Sequence, residues 1–350
     1  MNDRHHIGLR LLNDYQRDFP LVPRPFLAIA EQLGLDEATV MAAYEEGLAS
    51  GAISRIGAVV APRRLGASTL AALAVPPDRL DTVAAHVNSH AAVNHNYERE
   101  GAWNLWFVVT APSEAERSQT LHAIAVDTGL EVLSLPLREE YHIDLGFDLR
   151  GHDARYDAPP GAPCAATKEA TRRPTAPTEN RAPCALPALE QALLAALQDG
   201  LALSPRPYAE LGAKAGLSEA MTLEMLEGWL RDGLLKRFGV VVRHRALGYT
   251  ANAMCVWNIP DDQVSALGRQ LAAVPGVTLC YRRERSLPHW PYNLYCMIHG
   301  KDRDTVKALR EQAARQLGLD QYPHQVLFSH RCFKQCGARY AATPTGGSDA

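Results

Sequence analysis

The sequence predicts an α+β fold built by tandem duplication, in which a winged helix-turn-helix domain followed by a ferredoxin-like domain occurs twice. Three observations carry this. Ile53-Ser54-Arg55-Ile56-Gly57 matches Leu235-Lys236-Arg237-Phe238-Gly239 at an offset of 182, and Leu65-Gly66 matches Leu247-Gly248 at the same offset. The offset drifts to 184 at Tyr97 and Tyr281 and to 189 at Asn104 and Asn293, as small loop insertions in a duplicated domain would cause. Between the copies, Gly151–Pro187 is rich in Pro, Ala and Thr and lacks any hydrophobic period, which reads as a flexible linker. The expected boundaries are 1–62 and 187–244 for the helix-turn-helix domains and 63–150 and 245–340 for the ferredoxin-like domains, with a linker over 151–186 and a disordered tail over 341–350.

Each copy opens with short helices. Pro25–Leu33 and Pro207–Ala215 end near glycine turns at Gly34 and Gly216. Asp36 and Ser218 then stand where N-caps belong, ahead of amphipathic runs that stop near Gly51 and Gly233. A Val-rich ribbon follows, over Gly57–Ala61 and Gly239–Val242, completing a winged helix-turn-helix layout. The rest of each copy reads β-α-β-β-α-β, the split βαβ order. In the first copy the elements are Leu70–Val75, Asp78–Ser89, Val93–Arg99, Asn104–Thr110, Ser113–Thr128 and Glu131–Ile143. In the second they are Ala251–Ile259, Asp261–Ala273, Val277–Arg283, Tyr292–His299, Arg303–Leu317 and Gln325–Phe333.

Composition bounds the function. A chain of 350 residues with 47% hydrophobic and 21% charged residues is globular and long enough for more than one domain. No apolar run is long enough to span a bilayer, and the polar N-terminus lacks a signal core, so a cytoplasmic protein without a membrane partner is expected. Seven cysteines, none in the first 150 residues, support neither a disulfide framework nor a zinc site. The net charge of −3 hides an asymmetry, with −8 on residues 1–150 and +5 on the remainder. Opposite halves of this kind can steer towards each other.

The candidate recognition helices argue against DNA. The run DEATVMAAYEEGLASG has four acids and no Lys or Arg, and SEAMTLEMLEGWLRDG has four acids against one Arg. Phosphate contacts supply most non-specific affinity, and these faces would repel them. Arg237, Arg243, His244 and Arg245 read as a basic wing or as charges that protect an edge strand.

The two most informative stretches are Cys280–Gly300 and its shorter counterpart Asn94–Thr110. Strand alternation puts His95, Tyr97 and Arg99 on one face, and likewise Tyr281 with Arg283. Trp103, Arg282, His299, His330, Arg331 and Lys334 add further rings and cations at matching places. Such a mixture suits a large, flat, anionic ligand. Walker, GxGxxG, HExxH and Ser-His-Asp patterns are missing, so nucleotide, metalloprotease and hydrolase readings lack support.

The order of domains resembles the Lrp/AsnC regulator architecture. More specifically, HNYEREGAWNLWFVV, EEYHIDLGFDL, CYRRERSLPHWPYNLYCMIHG and SHRCFKQCGARY resemble the siroheme decarboxylases, in a form that fuses two subunits, as in the heme d1 branch. The resemblance implies removal of the C12 and C18 acetate carboxyls of siroheme, giving 12,18-didecarboxysiroheme and carbon dioxide, without a dissociable cofactor or a metal of the protein's own. It implies siroheme as ligand, other decarboxylase subunits as candidate partners, no DNA, and an internal pseudo-dimer whose higher oligomer is left open. By the same resemblance His95 and His142 are the catalytic pair, one proton donor and one iron ligand in either order. Tyr97, Arg99, Trp103, Tyr281, Arg282, Arg283, His299, His330, Arg331 and Lys334 bind substrate. The copies differ at His95, where the second has Leu279, and at His299, where the first has Thr110, which suggests one working pocket and a degenerate twin. The alternatives are a ligand-sensing transcription regulator and a non-catalytic tetrapyrrole carrier.

Overall fold

The computed structural model describes residues 2–61, 64–143 and 186–338; the expected linker lies almost wholly outside them, and the tail entirely so. The first copy runs α1 (Asn2–Asp14), α2 (Pro25–Leu33), α3 (Glu37–Ala49), β1 (Ile53–Val60), β2 (Ala67–Leu73), α4 (Leu80–Ser89), β3 (Val93–Arg99), β4 (Leu105–Ala111), α5 (Glu114–Thr128) and β5 (Val132–Ile143). The second repeats it as α6 (Ala188–Leu197), α7 (Pro207–Ala215), α8 (Glu219–Arg231), β6 (Leu235–Val242), β7 (Ala251–Trp257), α9 (Val264–Ala272), β8 (Val277–Arg283), β9 (Leu294–Gly300), α10 (Arg303–Leu317) and β10 (His324–Gln335).

Local chemistry explains the helix boundaries. Pro25 and Pro207 open α2 and α7, where a missing N–H costs nothing. Gly34 and Gly216 close them in the left-handed region, at φ 69° and 72°. Asp36 and Ser218 cap α3 and α8 by accepting from the amides of Thr39 and Met221. The sequence reading missed α1 and α6, which are buried through Leu11 and through Leu193, Leu194 and Leu197 and complete three-helix units.

The expected wing takes a different form. Neither copy, among the described residues, has a ribbon of its own. β1 instead pairs antiparallel with β6, with Gly57 opposite Gly239 at the pseudo-two-fold centre and Ile56↔Val240 mirrored by Ala58↔Phe238. A lone strand leaves its edge unsatisfied, and the equivalent strand of the other copy is the partner that satisfies it. All six helices of the two helix-turn-helix units share one apolar core with this ribbon.

The two ferredoxin-like sheets likewise do not stay separate. They close into one eight-stranded barrel in the order β10-β3-β4-β2-β5-β8-β9-β7. The two seams between copies, β5·β8 and β10·β3, are equivalent under the duplication, so the sheet edges of one copy are covered by the other. Helices α4 and α5 cover the outer face of the first half, and α9 and α10 that of the second. The inner face holds a core drawn from both copies, including Leu70, Trp106, Leu133, Met254, Tyr281, Trp290 and Tyr295. The charge asymmetry is spent at this contact. Glu139 pairs with Arg282, Glu98 and Asp81 with Arg331, Glu100 with Arg303 and Glu140 with Lys236; Arg138 with Glu284 is the reverse case.

Candidate active site at the barrel mouth

The alternation of β3 sends His95, Tyr97 and Arg99 one way, while Asn96 turns outward to bond the Ala84 carbonyl and Asn88 on α4. His95 Nδ1 lies 3.3 Å from the Tyr97 hydroxyl, with the two rings 17° from parallel. The Arg99 guanidinium sits 5.6 Å from the Tyr97 ring centroid and donates to the Leu327 carbonyl at 3.2 Å.

The second copy supplies the rest. The His299 ring on β9 meets the His244 ring edge-on at 4.8 Å. His244 and Arg245 stand in the turn that follows β6. Asn252 donates to His244 Nε2 at 3.2 Å, which places the proton of a neutral His244 on Nδ1. The Thr278 hydroxyl donates to the Met297 carbonyl at 3.0 Å and so accepts from His299 Nδ1 at 2.8 Å, leaving the His299 lone pair on Nε2. Arg245 donates to Ser329 and to the His330 carbonyl. Arg55 reaches in from β1, against Gly337 at the end of the barrel. The cluster therefore occupies the mouth of the barrel that faces the β1·β6 ribbon.

Burial and like charge hold these imidazoles neutral. Burial first, and then Arg55, push His95 down to about 4. Burial, Arg245, His95 and Arg99 push His244 to about 4. Burial, His244, Arg99 and Arg245 hold His299 well below the usual imidazole range. Burial raises the Tyr97 hydroxyl. Among the described residues, Arg55, Arg99 and Arg245 have no carboxylate within ion-pair distance, and they donate to carbonyls and to the Ser329 hydroxyl instead. Neutral imidazoles are metal ligands, and partly buried guanidiniums without anions are poised to bind carboxylates.

The structure separates the other residues singled out in the sequence. Arg283 is the counterpart of Arg99; it packs 4.6 Å from the Tyr281 ring centroid and donates to the Leu135 carbonyl. Arg282 instead faces outward to Glu139 and Asp261, and Arg331 to Glu98 and Asp81. The Lys334 ammonium bonds the Asn88 and His90 carbonyls at the end of α4. His330 is exposed, 3.9 Å from Glu100, and Trp103 lends its carbonyl to the Trp106 indole. His142 lies on the opposite seam from His95, in register with Cys280. The sequence reading missed Arg55, His244 and Arg245 as site residues; the RHR run at 243–245 was the signal, read there as wing charge. At the pseudo-symmetric counterpart Leu279 stands in place of His95 and Thr110 in place of His299. Trp290, from the longer loop of the second copy, packs on Trp106 and Tyr292 in the inner core and donates to the Tyr295 hydroxyl.

Two helix-turn-helix units and a shared barrel with a cationic mouth define a two-subunit AsnC-like ligand-binding unit carried on one chain. Residues 64–142 and 246–334 match the AsnC-like ligand binding domain, and residues 9–53 and 190–235 match the siroheme decarboxylase NirDL-like HTH domain. The chain is similar to the siroheme decarboxylase NirDL subunit of Paracoccus denitrificans, with 45% identity over 96% of this chain and 97% of that one. The siroheme decarboxylase NirD subunit of Pseudomonas aeruginosa is 50% identical over 41% of this chain and 95% of its own length, so one such subunit corresponds to a single copy here. A crystal structure of the siroheme decarboxylase NirDL with an iron-uroporphyrin III analogue superposes with a TM-score of 0.65 at 27% identity, covering 96% of this chain and 94% of that one. The chain belongs to the siroheme decarboxylase family, which is a family of enzymes.

Proposed function

We propose that this chain removes the C12 and C18 acetate carboxyls of siroheme, in heme d1 formation, at the mouth formed by His95, Tyr97, Arg99, His244, Arg245 and His299. The observation that carries this is the set of guanidiniums that, among the described residues, have no carboxylate partner, beside three neutral imidazoles. Siroheme brings the missing components, an iron and a rim of carboxylates. Each step is redox-neutral: the acetate C–C bond breaks, carbon dioxide leaves, and the electron pair passes into the conjugated ring. One proton then converts the CH2 to a methyl group. The macrocycle is the electron sink, so no dissociable cofactor is needed.

The residues of the chain divide this work. Arg55, Arg99 and Arg245, with Arg283 on the facing strand, pair with substrate carboxylates. One imidazole of the cluster ligates the substrate iron. His95, beside the Tyr97 hydroxyl, delivers the proton. Burial is the larger cause of the low His95 value and Arg55 the smaller; incoming carboxylates act on the smaller one, by offsetting Arg55. The barrel is closed, so the sheet edges of each copy are covered by the other, which favours the internal pseudo-dimer as the working unit. The acidic α3 and α8 favour a role without DNA.

Anaerobic incubation with siroheme tests the proposal. The expected product is lighter by two carboxyl groups and forms through a singly decarboxylated intermediate. Binding without a change in mass would mark a tetrapyrrole carrier, and retention on duplex DNA at low salt without turnover would mark a regulator; either result overturns the proposal.

A further inference from the structure

On the outer surface of the first copy, away from the barrel mouth, two imidazoles and a carboxylate converge. His86 and His90 are one helical turn apart at the end of α4, and Asp127 stands in the last turn of α5. His86 Nε2 lies 3.5 Å from His90 Nε2 and 3.3 Å from Asp127 Oδ2, and all three donor atoms lie within 4.8 Å of one another. In a tetrahedral site with metal–ligand bonds of about 2.0–2.1 Å, donor atoms sit about 3.3–3.4 Å apart. Two of the three edges, at 3.3 and 3.5 Å, are at or close to that length. The i, i+4 spacing aims both imidazoles at one point, and the third donor comes from a different helix, so the group is a crossing point rather than a single-helix accident.

We propose that His86, His90 and Asp127 form a binding site for a borderline divalent cation of the zinc class. Two neutral imidazoles and one carboxylate are a donor set such ions accept, with a fourth position left for water or an added ligand. The second copy supplies an internal control. Carrying the offsets of the flanking strands onto α9 and α10 puts Gln270, Val274 and Gln316 at the three positions, so all three donors are missing together. Lys334, whose ammonium bonds the His90 carbonyl at 3.2 Å, is the opposing charge nearby. A bound cation would tie the end of α4 to the end of α5. The α4 end also carries Asn88, which bonds Asn96, the neighbour of His95 on β3. The site would therefore brace the back of the strand that carries the proposed proton donor.

The test uses the full-length chain, stripped with a chelator and titrated with Co2+ in the absence of siroheme. The expected result is one equivalent bound with the visible absorption of a low-coordinate site, together with a rise in Tm from binding to the folded state. His86→Ala and His90→Ala should each weaken binding by at least about tenfold and lose the Tm rise. Both positions are partly exposed, so the metal-free Tm of each variant should match the parent and show that folding is intact. The proposal is overturned if the parent binds no Co2+ at millimolar concentration, if the two variants bind as the parent does, or if only His95→Ala or His299→Ala abolishes binding. Because siroheme is absent, decarboxylation can fail while this site stands, and the reverse.

Discussion

The most direct physical consequence of the site is that the ligand-free enzyme should be weakened by mild acid, and His244 should carry part of that loss. His244 is only 8% exposed, hydrogen-bonded as a neutral ring by Asn252, and pushed to about 4 by burial and by Arg245, His95 and Arg99. In the unfolded chain the same ring titrates near 6.5. As pH falls through about 6.5 the unfolded state takes up a proton first, so stability begins to drop there and the loss is complete only once pH has passed about 4. A difference of about 2.5 pK units corresponds to about 3.4 kcal/mol for an isolated group. Because His95 and His299 share the same repulsion, we expect about 1–2 kcal/mol to be attributable to His244. Urea midpoints of wild type and His244→Gln at pH 7 and pH 4.5, without siroheme, measure it. Glutamine keeps an acceptor for Asn252 but takes up no proton, so the variant should lose about 1–2 kcal/mol less between the two pH values. Identical acid losses would refute a neutral, repelled imidazole at this position.

Other outcomes follow from the same structure. His95→Ala should cut turnover at saturating siroheme by about 10²–10⁴-fold, far more than Arg283→Ala, whereas His142→Ala, at the opposite seam, should change it less than His95→Ala does; a wild-type rate in His95→Ala would remove His95 as proton donor, and a loss confined to His142→Ala would move the chemistry to the other seam. Arg99→Met should weaken siroheme binding, seen by spectral titration, by about 1–3 kcal/mol, the cost of one buried charge-assisted partner; unchanged affinity would remove Arg99 from the carboxylate-binding set. Gly268→Ala places a Cβ 2.1 Å from the Tyr141 ring, where α9 of the second copy packs on β5 of the first, and should destabilise the chain by about 1–3 kcal/mol in urea melts. Proteolysis within residues 165–182 should leave the halves co-eluting on gel filtration, because three antiparallel seams join them; separation would contradict the shared barrel.

Much of this molecule was legible in the sequence because it is locally determined. Pro25 and Gly34, Asp36, and the matching Pro207, Gly216 and Ser218 mark helix ends through backbone chemistry within a few residues. The bounds of β3, β8 and α10 agree residue for residue with the expectation from alternation and periodicity. The repeat and the motif segments carried the family. α1 and α6 were missed because their cores are completed only by contact with the other helices.

What only the tertiary structure decided is which edges and faces meet. A strand's composition does not name its partner, so the ribbon shared by β1 and β6 and the closure of two sheets into one barrel could not be read from either copy alone. Closure in turn sorts the cations. Arg282, Arg331 and Lys334 turn to outer acids and helix-end carbonyls, while Arg99 and Arg283 turn inward, a distinction set by the pleat and by the bulges within the two seams. It also brings His244 and Arg245 from the turn after β6 to within charge–charge range of His95 and Arg99 from the other copy, although nearly 150 residues of chain separate them. Sequence chemistry acts over a few residues, whereas electrostatics and burial act through space, so the composition of the site was visible from the chain and its membership was not.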